Sequence, residues 1–261
     1  MRKDEDSFCV NSTHIYNHNK SRRYMNLRNF SVDKIYVMEK DKRRRVNTEK
    51  SFAKHGIARL SKENTFEFMQ AENWVGKTPP RDFRGPKTSG GAYGCLLSHM
   101  KCIDDAIAKK YRYVLIMEDD LMFHKRFFEI WDSTIIPKDW DILYLSATQL
   151  KWDKIKIRPY NSFYRGHKSL GGTAYILKDS MFGVIKDLYE IHKKPIDELL
   201  IIAQETRVSY VFYPNLCINY MNESNIRKNN TWKIETTGKK LKWDINEYDT
   251  SVILDNPVTE N

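Results

Sequence analysis

Three adjacent carboxylates, Glu118, Asp119 and Asp120, stand directly after an almost wholly apolar run, Tyr113-Val114-Leu115-Ile116-Met117. Like charges at that spacing repel, and the arrangement is unfavourable unless a cation compensates it. Hard divalent cations such as Mg²⁺ and Mn²⁺ prefer oxygen ligands and commonly take one or two carboxylates together with substrate phosphates. Such a cation suits a reaction in which a diphosphate leaves, because it neutralises the charge that grows on the leaving group. Side chains alternate along an extended segment, so Glu118 and Asp120 share one side and Asp119 faces the other. Asp120 is expected to bind the metal, with Glu118 near the metal, the ribose or a donor sugar. Two other readings fit the same residues: a strand that ends in solvent with a carboxylate capping a following helix, and the metal site of a nuclease or phosphatase.

The elements around the cluster read as alternating strands and helices. A first strand is expected over 34–38, followed by a charged segment over 39–45 and a helix over 47–54 that Gly56 closes. Residues 77–91 are dense in Pro, Gly and charge and read as a loop. The clearest helix covers 93–110, where Leu96, Met100, Ile103 and Ile107 recur at helical spacing. The apolar run over 113–117 suits a central strand covered on both faces. Further strands are expected over 141–145, 174–177 and 208–212, with helices over 180–191 and 195–203, the last opening on a proline. Gly171 and Gly172 read as a tight turn. This alternation implies an α/β fold with a mostly parallel central sheet flanked by helices. Ligands gather at the carboxyl ends of the strands in such sheets, which is where the cluster falls.

The bulk numbers agree with a packed domain. The 261 residues are 41% hydrophobic and 13% aromatic, enough to bury a sizeable core. Residues 1–30 read as a polar arm, 31–230 as the main domain, and 231–261 as a tail that Trp232, Trp243 and Tyr248 pack back. The net charge of +10 attracts polyanions, from nucleic acid to phosphorylated small molecules, without choosing among them. Cys9, Cys95, Cys102 and Cys217 fit no zinc spacing and no Cys-x-x-Cys pair. With no apolar signal-peptide core, no transmembrane run and no retention signal, a soluble, intracellular protein is expected.

The cluster has company in a fixed order. Gly94-Cys95-Leu96-Leu97-Ser98-His99 precedes it, Trp140-Asp141-Ile142-Leu143-Tyr144-Leu145 follows, and then come Gly171-Gly172-Thr173-Ala174-Tyr175-Ile176 and Pro195-Ile196-Asp197. This order, over roughly 34–225, resembles glycosyltransferase family 25. That family includes lipooligosaccharide galactosyltransferases and collagen hydroxylysine galactosyltransferases. The resemblance implies a GT-A type fold, a UDP-sugar donor carrying galactose or glucose, Mn²⁺ (or Mg²⁺), and inversion at the anomeric carbon. The acceptor it implies is a glycan, a lipid-linked sugar or a collagen-like hydroxylysine, with no specific nucleic acid as partner.

The resemblance also assigns roles. The strand over 35–38, with Val37, would start the nucleotide site. Glu39 stands where the family has an uracil contact in a longer loop, and Arg44 or a neighbouring arginine could reach the ribose or diphosphate. Gly94, Ser98 and His99, placed at a helix start, would line the donor site, with Gly94 allowing close approach and Asp119 joining Glu118 there. Gly172 would shape the acceptor pocket. Asp197 is the leading general base, with Glu198 the alternative; a helix cap is the competing role for Asp197. Asp141 reads as structural, starting its strand and holding the domain together, with an acceptor contact as the other reading. Asn225 stands where the family often has an Asp. An inactive relative and a nucleic-acid binder stay open beside the nuclease or phosphatase.

Overall fold

The computed structural model describes residues 23–40, 42–85, 90–157, 162–219 and 234–251. Asn225, Trp232 and most of the proposed arm lie outside these residues. In chain order the described elements are β1 (Tyr24–Asn26), β2 (Lys34–Glu39), α1 (Lys42–Lys54), β3 (Glu67–Gln70), α2 (Gly90–Ala108), β4 (Tyr113–Glu118), β5 (Leu121–Phe123), α3 (Phe127–Ser133) and β6 (Ile135–Pro137). They continue with β7 (Ile142–Thr148), β8 (Phe163–Arg165), β9 (Leu170–Lys178), α4 (Phe182–His192), α5 (Ile196–Ala203), β10 (Ser209–Phe212), β11 (Cys217–Asn219) and α6 (Ile234–Leu241).

Seven strands form the central sheet in the order β3-β2-β4-β9-β7-β10-β8. β2 is parallel to β3 and β4, and β7 is parallel to β10. β9 runs antiparallel between β4 and β7, and β8 runs antiparallel on the edge. The expected α/β sheet flanked by helices is present, in mixed form. Two short antiparallel ribbons attach to it, β1 with β6 and β5 with β11. Tyr24–Asn26, inside the segment read as an arm, therefore pairs with the body of the fold.

Both faces of the sheet are covered. On one face Ile35, Val37, Leu115, Met117, Leu143 and Ile176 meet Phe52, Phe127 and Trp131. On the other, Tyr36, Val114, Ile116, Tyr144, Tyr175 and Leu177 meet Leu96 and Ile103 of α2, Ile185 of α4 and Leu199 of α5. Burial on both sides is why β4 reads as an unbroken apolar run. Asp33 ties the amino ends of β2 and β4 together, its Oδ2 accepting from the amides of Arg112 and Tyr113 at 2.7 and 2.8 Å. Asp141 does the same elsewhere, accepting from the Ser180 hydroxyl and the Val208 amide, so its role is structural.

Three sequence expectations change. The segment over 39–45 is largely helical, because α1 begins at Lys42. Arginines in a first turn oppose the helix dipole, and nearby carboxylates offset them: Arg45 pairs with Glu39, and Arg44 lies against Asp119 and Asp120. Gly171 and Gly172 do not form a turn; both lie within β9. A Cβ on Gly171 would come 2.7 Å from the Tyr144 ring, so packing against that ring requires glycine. Ile107 is 44% exposed, and the buried side of α2 runs through Leu96, His99, Cys102, Ile103 and Ala106. Tyr248 packs on Met122 and Ile218. No helix among the described residues is long and apolar enough to cross a membrane.

Candidate active site

The site forms where the carboxyl ends of β2 and β4 meet the amino end of β9. Met38 is level with Glu118, and Met117 with Ala174, which brings Thr173 alongside the cluster. The alternation expected along the cluster is present. Glu118 and Asp120 converge on one amide: Nδ2 of Asn219, at the end of β11, donates to Glu118 Oε2 at 3.1 Å and to Asp120 Oδ1 at 2.8 Å. Thr173 completes the chain by donating to Asn219 Oδ1 at 2.8 Å. Asp119 points away and latches the end of β4 to the start of α1. Its Oδ2 accepts from the Lys40 amide at 2.9 Å, and its carbonyl accepts from the Thr48 hydroxyl.

Electrostatics single out Glu118. Burial, reinforced by the Asp120 charge, pushes its carboxyl up to about 8 despite the opposing pull of Lys40. A single amide is a weak counterweight to two converging carboxylates, whereas a divalent cation would neutralise both. Their oxygen chemistry suits a hard cation, so the residues present fit Mn²⁺ or Mg²⁺. Arg44, read as a possible phosphate contact, reaches the cluster, with Nη1 3.7 Å from both Asp119 Oδ1 and Asp120 Oδ2.

His99 lies behind the carboxylates. It is fully buried, shares a 2.6 Å hydrogen bond through Nδ1 with the Tyr175 hydroxyl, and is held neutral by burial, which lowers it to about 3. Its Nε2 makes no hydrogen bond among the described residues and faces Gly172, where an added Cβ would lie 3.8 Å away. The same Cβ would lie 3.6 Å from Ile196, so the start of α5 closes this side. Asp197, in the first turn of α5, is half-buried; its Oδ1 accepts from the Glu198 amide at 3.0 Å, and its charge adds to the burial that raises Cys95 and Tyr144. Glu198 is paired with Lys194.

Several sequence-expected residues occupy other positions. Val37 is buried within the core below the sheet's end, so its side chain does not face the site. The Glu39 carboxylate is 1% exposed and clamped by Arg45 at 2.7 and 2.8 Å, which removes it as an open base contact. Gly94, Ser98 and His99 lie well inside α2 instead of at its start, because that helix begins at Gly90. The backbone that approaches Gly94 is the chain's own: a Cβ there would meet the Glu72 carbonyl at 2.4 Å. Ser98 donates to the Gly94 carbonyl and accepts from the Glu72 amide, so it is spent on holding that segment. Sequence reasoning missed Asn219, Thr173 and Cys95 as members of the site. Asn219 carried no local signal, since only the pairing of β11 with β5 places it there.

The family model for glycosyltransferase family 25 (LPS biosynthesis protein) matches residues 32–200. No curated protein matches the chain. Among solved structures the chain is similar to a glycosyltransferase involved in the glycosylation of the major capsid of PBCV-1, at 10% identity and a TM-score of 0.41, over 74% of this chain and 94% of that one. It is also similar to the inositol-1-phosphate CTP transferase from T. maritima, at 12% identity and a TM-score of 0.40, over 81% of this chain and 97% of that one.

Proposed function

The chain belongs to glycosyltransferase family 25, and on that premise we propose that it moves a hexose, galactose or glucose, from a UDP-sugar to a glycan hydroxyl. The fold is read as GT-A type, and the enzyme as acting where UDP-sugars are made, inside the cell. The observation that carries the reading is the convergence of Glu118 and Asp120 on one Asn219 amide at the carboxyl end of β4. Those two carboxylates would hold Mn²⁺ or Mg²⁺. A cation there would neutralise charge on the departing diphosphate.

The chain's own residues supply the rest. Arg44, beside the cluster, would contact a diphosphate oxygen. Gly172 leaves open the space between His99 and Ile196, where a side chain would intrude on the sugar. Asp197 is assigned as general base: it takes the acceptor's hydroxyl proton while that oxygen attacks the anomeric carbon from the face opposite the leaving UDP, giving inversion. Glu198, paired with Lys194, is the alternative base. Asn219 and Asp119 act as positioning residues for the carboxylates and for the turn into α1.

The test is donor turnover. Purified protein with UDP-galactose or UDP-glucose should release UDP slowly in Mn²⁺ and not in chelator, and faster once a glycan acceptor is present. Absence of UDP release from every UDP-sugar, with hydrolysis of a generic phosphate ester or nucleic acid abolished by Asp120→Ala, would replace this reading with a hydrolase.

A further inference from the structure

A second group of metal-ligating atoms lies against the carboxylates. Cys95, His99 and Glu118 each place one ligand atom within 4.8 Å of the other two. Cys95 and His99 are four residues apart on α2, so they sit one turn above the other on the same face. Nδ1 of His99 is engaged by Tyr175, which leaves Nε2, fully buried and without a hydrogen bond among the described residues, as the atom turned to the site. Cys95 and Glu118 are each part-exposed, which gives an entry path from solvent.

We propose that Cys95 Sγ, His99 Nε2 and a Glu118 carboxylate oxygen form a site for a thiophilic divalent cation of the Zn²⁺ class. Thiolate and imidazole favour such cations, whereas the Asp120 side of Glu118 offers oxygen alone. Tetrahedral Zn²⁺ with these ligands needs them about 3.3–3.8 Å apart, so small side-chain rotations complete the geometry. Thiolate and carboxylate together cancel the two positive charges. Cys95 Sγ would bind as the thiolate, its proton passing to solvent as the cation enters. In the metal-binding tautomer His99 donates Nδ1–H to the Tyr175 oxygen, the second contact that ligating histidines usually make. Three protein ligands leave a fourth position open. The site does not depend on the glycosyl-transfer reading, but it shares Glu118 with it, so Zn²⁺ and a hard cation should compete.

The experiment is a Co²⁺ titration of the full chain followed by near-ultraviolet absorption. One equivalent should produce a thiolate-to-Co²⁺ charge-transfer band that Zn²⁺ removes. Cys95→Ser should abolish the band and Cys102→Ser, a buried thiol outside the group, should keep it. Tyr175→Phe should retain it with affinity weakened about 10–100-fold. Circular dichroism should show each variant folded. Absence of the band in wild type, or a band that survives Cys95→Ser, would overturn the proposal, the latter by assigning the metal to another thiol.

Discussion

Asn219→Asp changes one atom's chemistry at the centre of the site. The native Nδ2 donates to Glu118 Oε2 and Asp120 Oδ1 at 3.1 and 2.8 Å. The variant loses both bonds and puts a third carboxylate oxygen in the same space. The bond to the Asp120 carboxylate contributes about 1.5–3 kcal/mol, and the bond to Glu118, whose raised carboxyl is largely protonated at neutral pH, about 0.5–1.5 kcal/mol. The site opens partly to water, with the Asp120 side chain 15% exposed, so the lower range applies, and the metal-free protein should lose about 2–4 kcal/mol. For a fold of this size each kcal/mol moves the melting midpoint by about 2–4 °C, giving a drop of about 4–16 °C. The assay is thermal unfolding by circular dichroism in chelator and in saturating Mn²⁺. Added Mn²⁺ should recover at least half of the deficit, because the new carboxylate becomes a ligand where it had been a repulsive charge. Coincident melting curves for variant and wild type in chelator would refute the bridging role of Asn219. A deficit untouched by Mn²⁺ would refute a cation between the carboxylates.

Gly171→Ala should destabilise by about 1–3 kcal/mol in urea unfolding, because its Cβ would press on the Tyr144 ring at 2.7 Å. Gly172→Ala has room at 3.6 Å, so its melt should stay near wild type while transfer kinetics fall. Asp33→Asn should cost about 1–3 kcal/mol at neutral pH. Burial pushes the Asp33 carboxyl up, but the Lys62 ammonium and then the backbone amides of Tyr113 and Arg112 together outweigh it and hold the carboxyl below its usual value. Its contribution is therefore present above the unfolded pKa and lost as pH falls through the lower folded value, so the gap between variant and wild type should close below about pH 4.

The sequence made some features readable because one local cause produced them. β4 is covered on both faces, so it is apolar from Val114 to Met117 and could be placed nearly to the residue. The sides taken by Glu118, Asp119 and Asp120 followed from alternation alone. Other features have non-local causes. Gly171 is glycine because of a ring on the neighbouring strand, a fact that looks like a turn when only the sequence is visible. β3 and β8 are short edge strands whose patterns are too brief to separate from loop. Glu39 was expected to reach a ligand, but a charge six residues on, in a helix that starts earlier than expected, takes it. Ser98 and Gly94 respond to the Glu72–Trp74 backbone, which no spacing within α2 could reveal. Asn219 lies about one hundred residues from the carboxylates it joins.

The central claim is a metal-dependent nucleotide-sugar site at Glu118 and Asp120, and calorimetric titration with UDP tests it most directly. Wild type and Asp120→Ala would each be titrated in Mn²⁺ and in chelator. Binding by the wild type in Mn²⁺, lost in chelator and lost in the variant, is the predicted result. No UDP binding by the wild type in either condition, or equal binding by the variant, would contradict it.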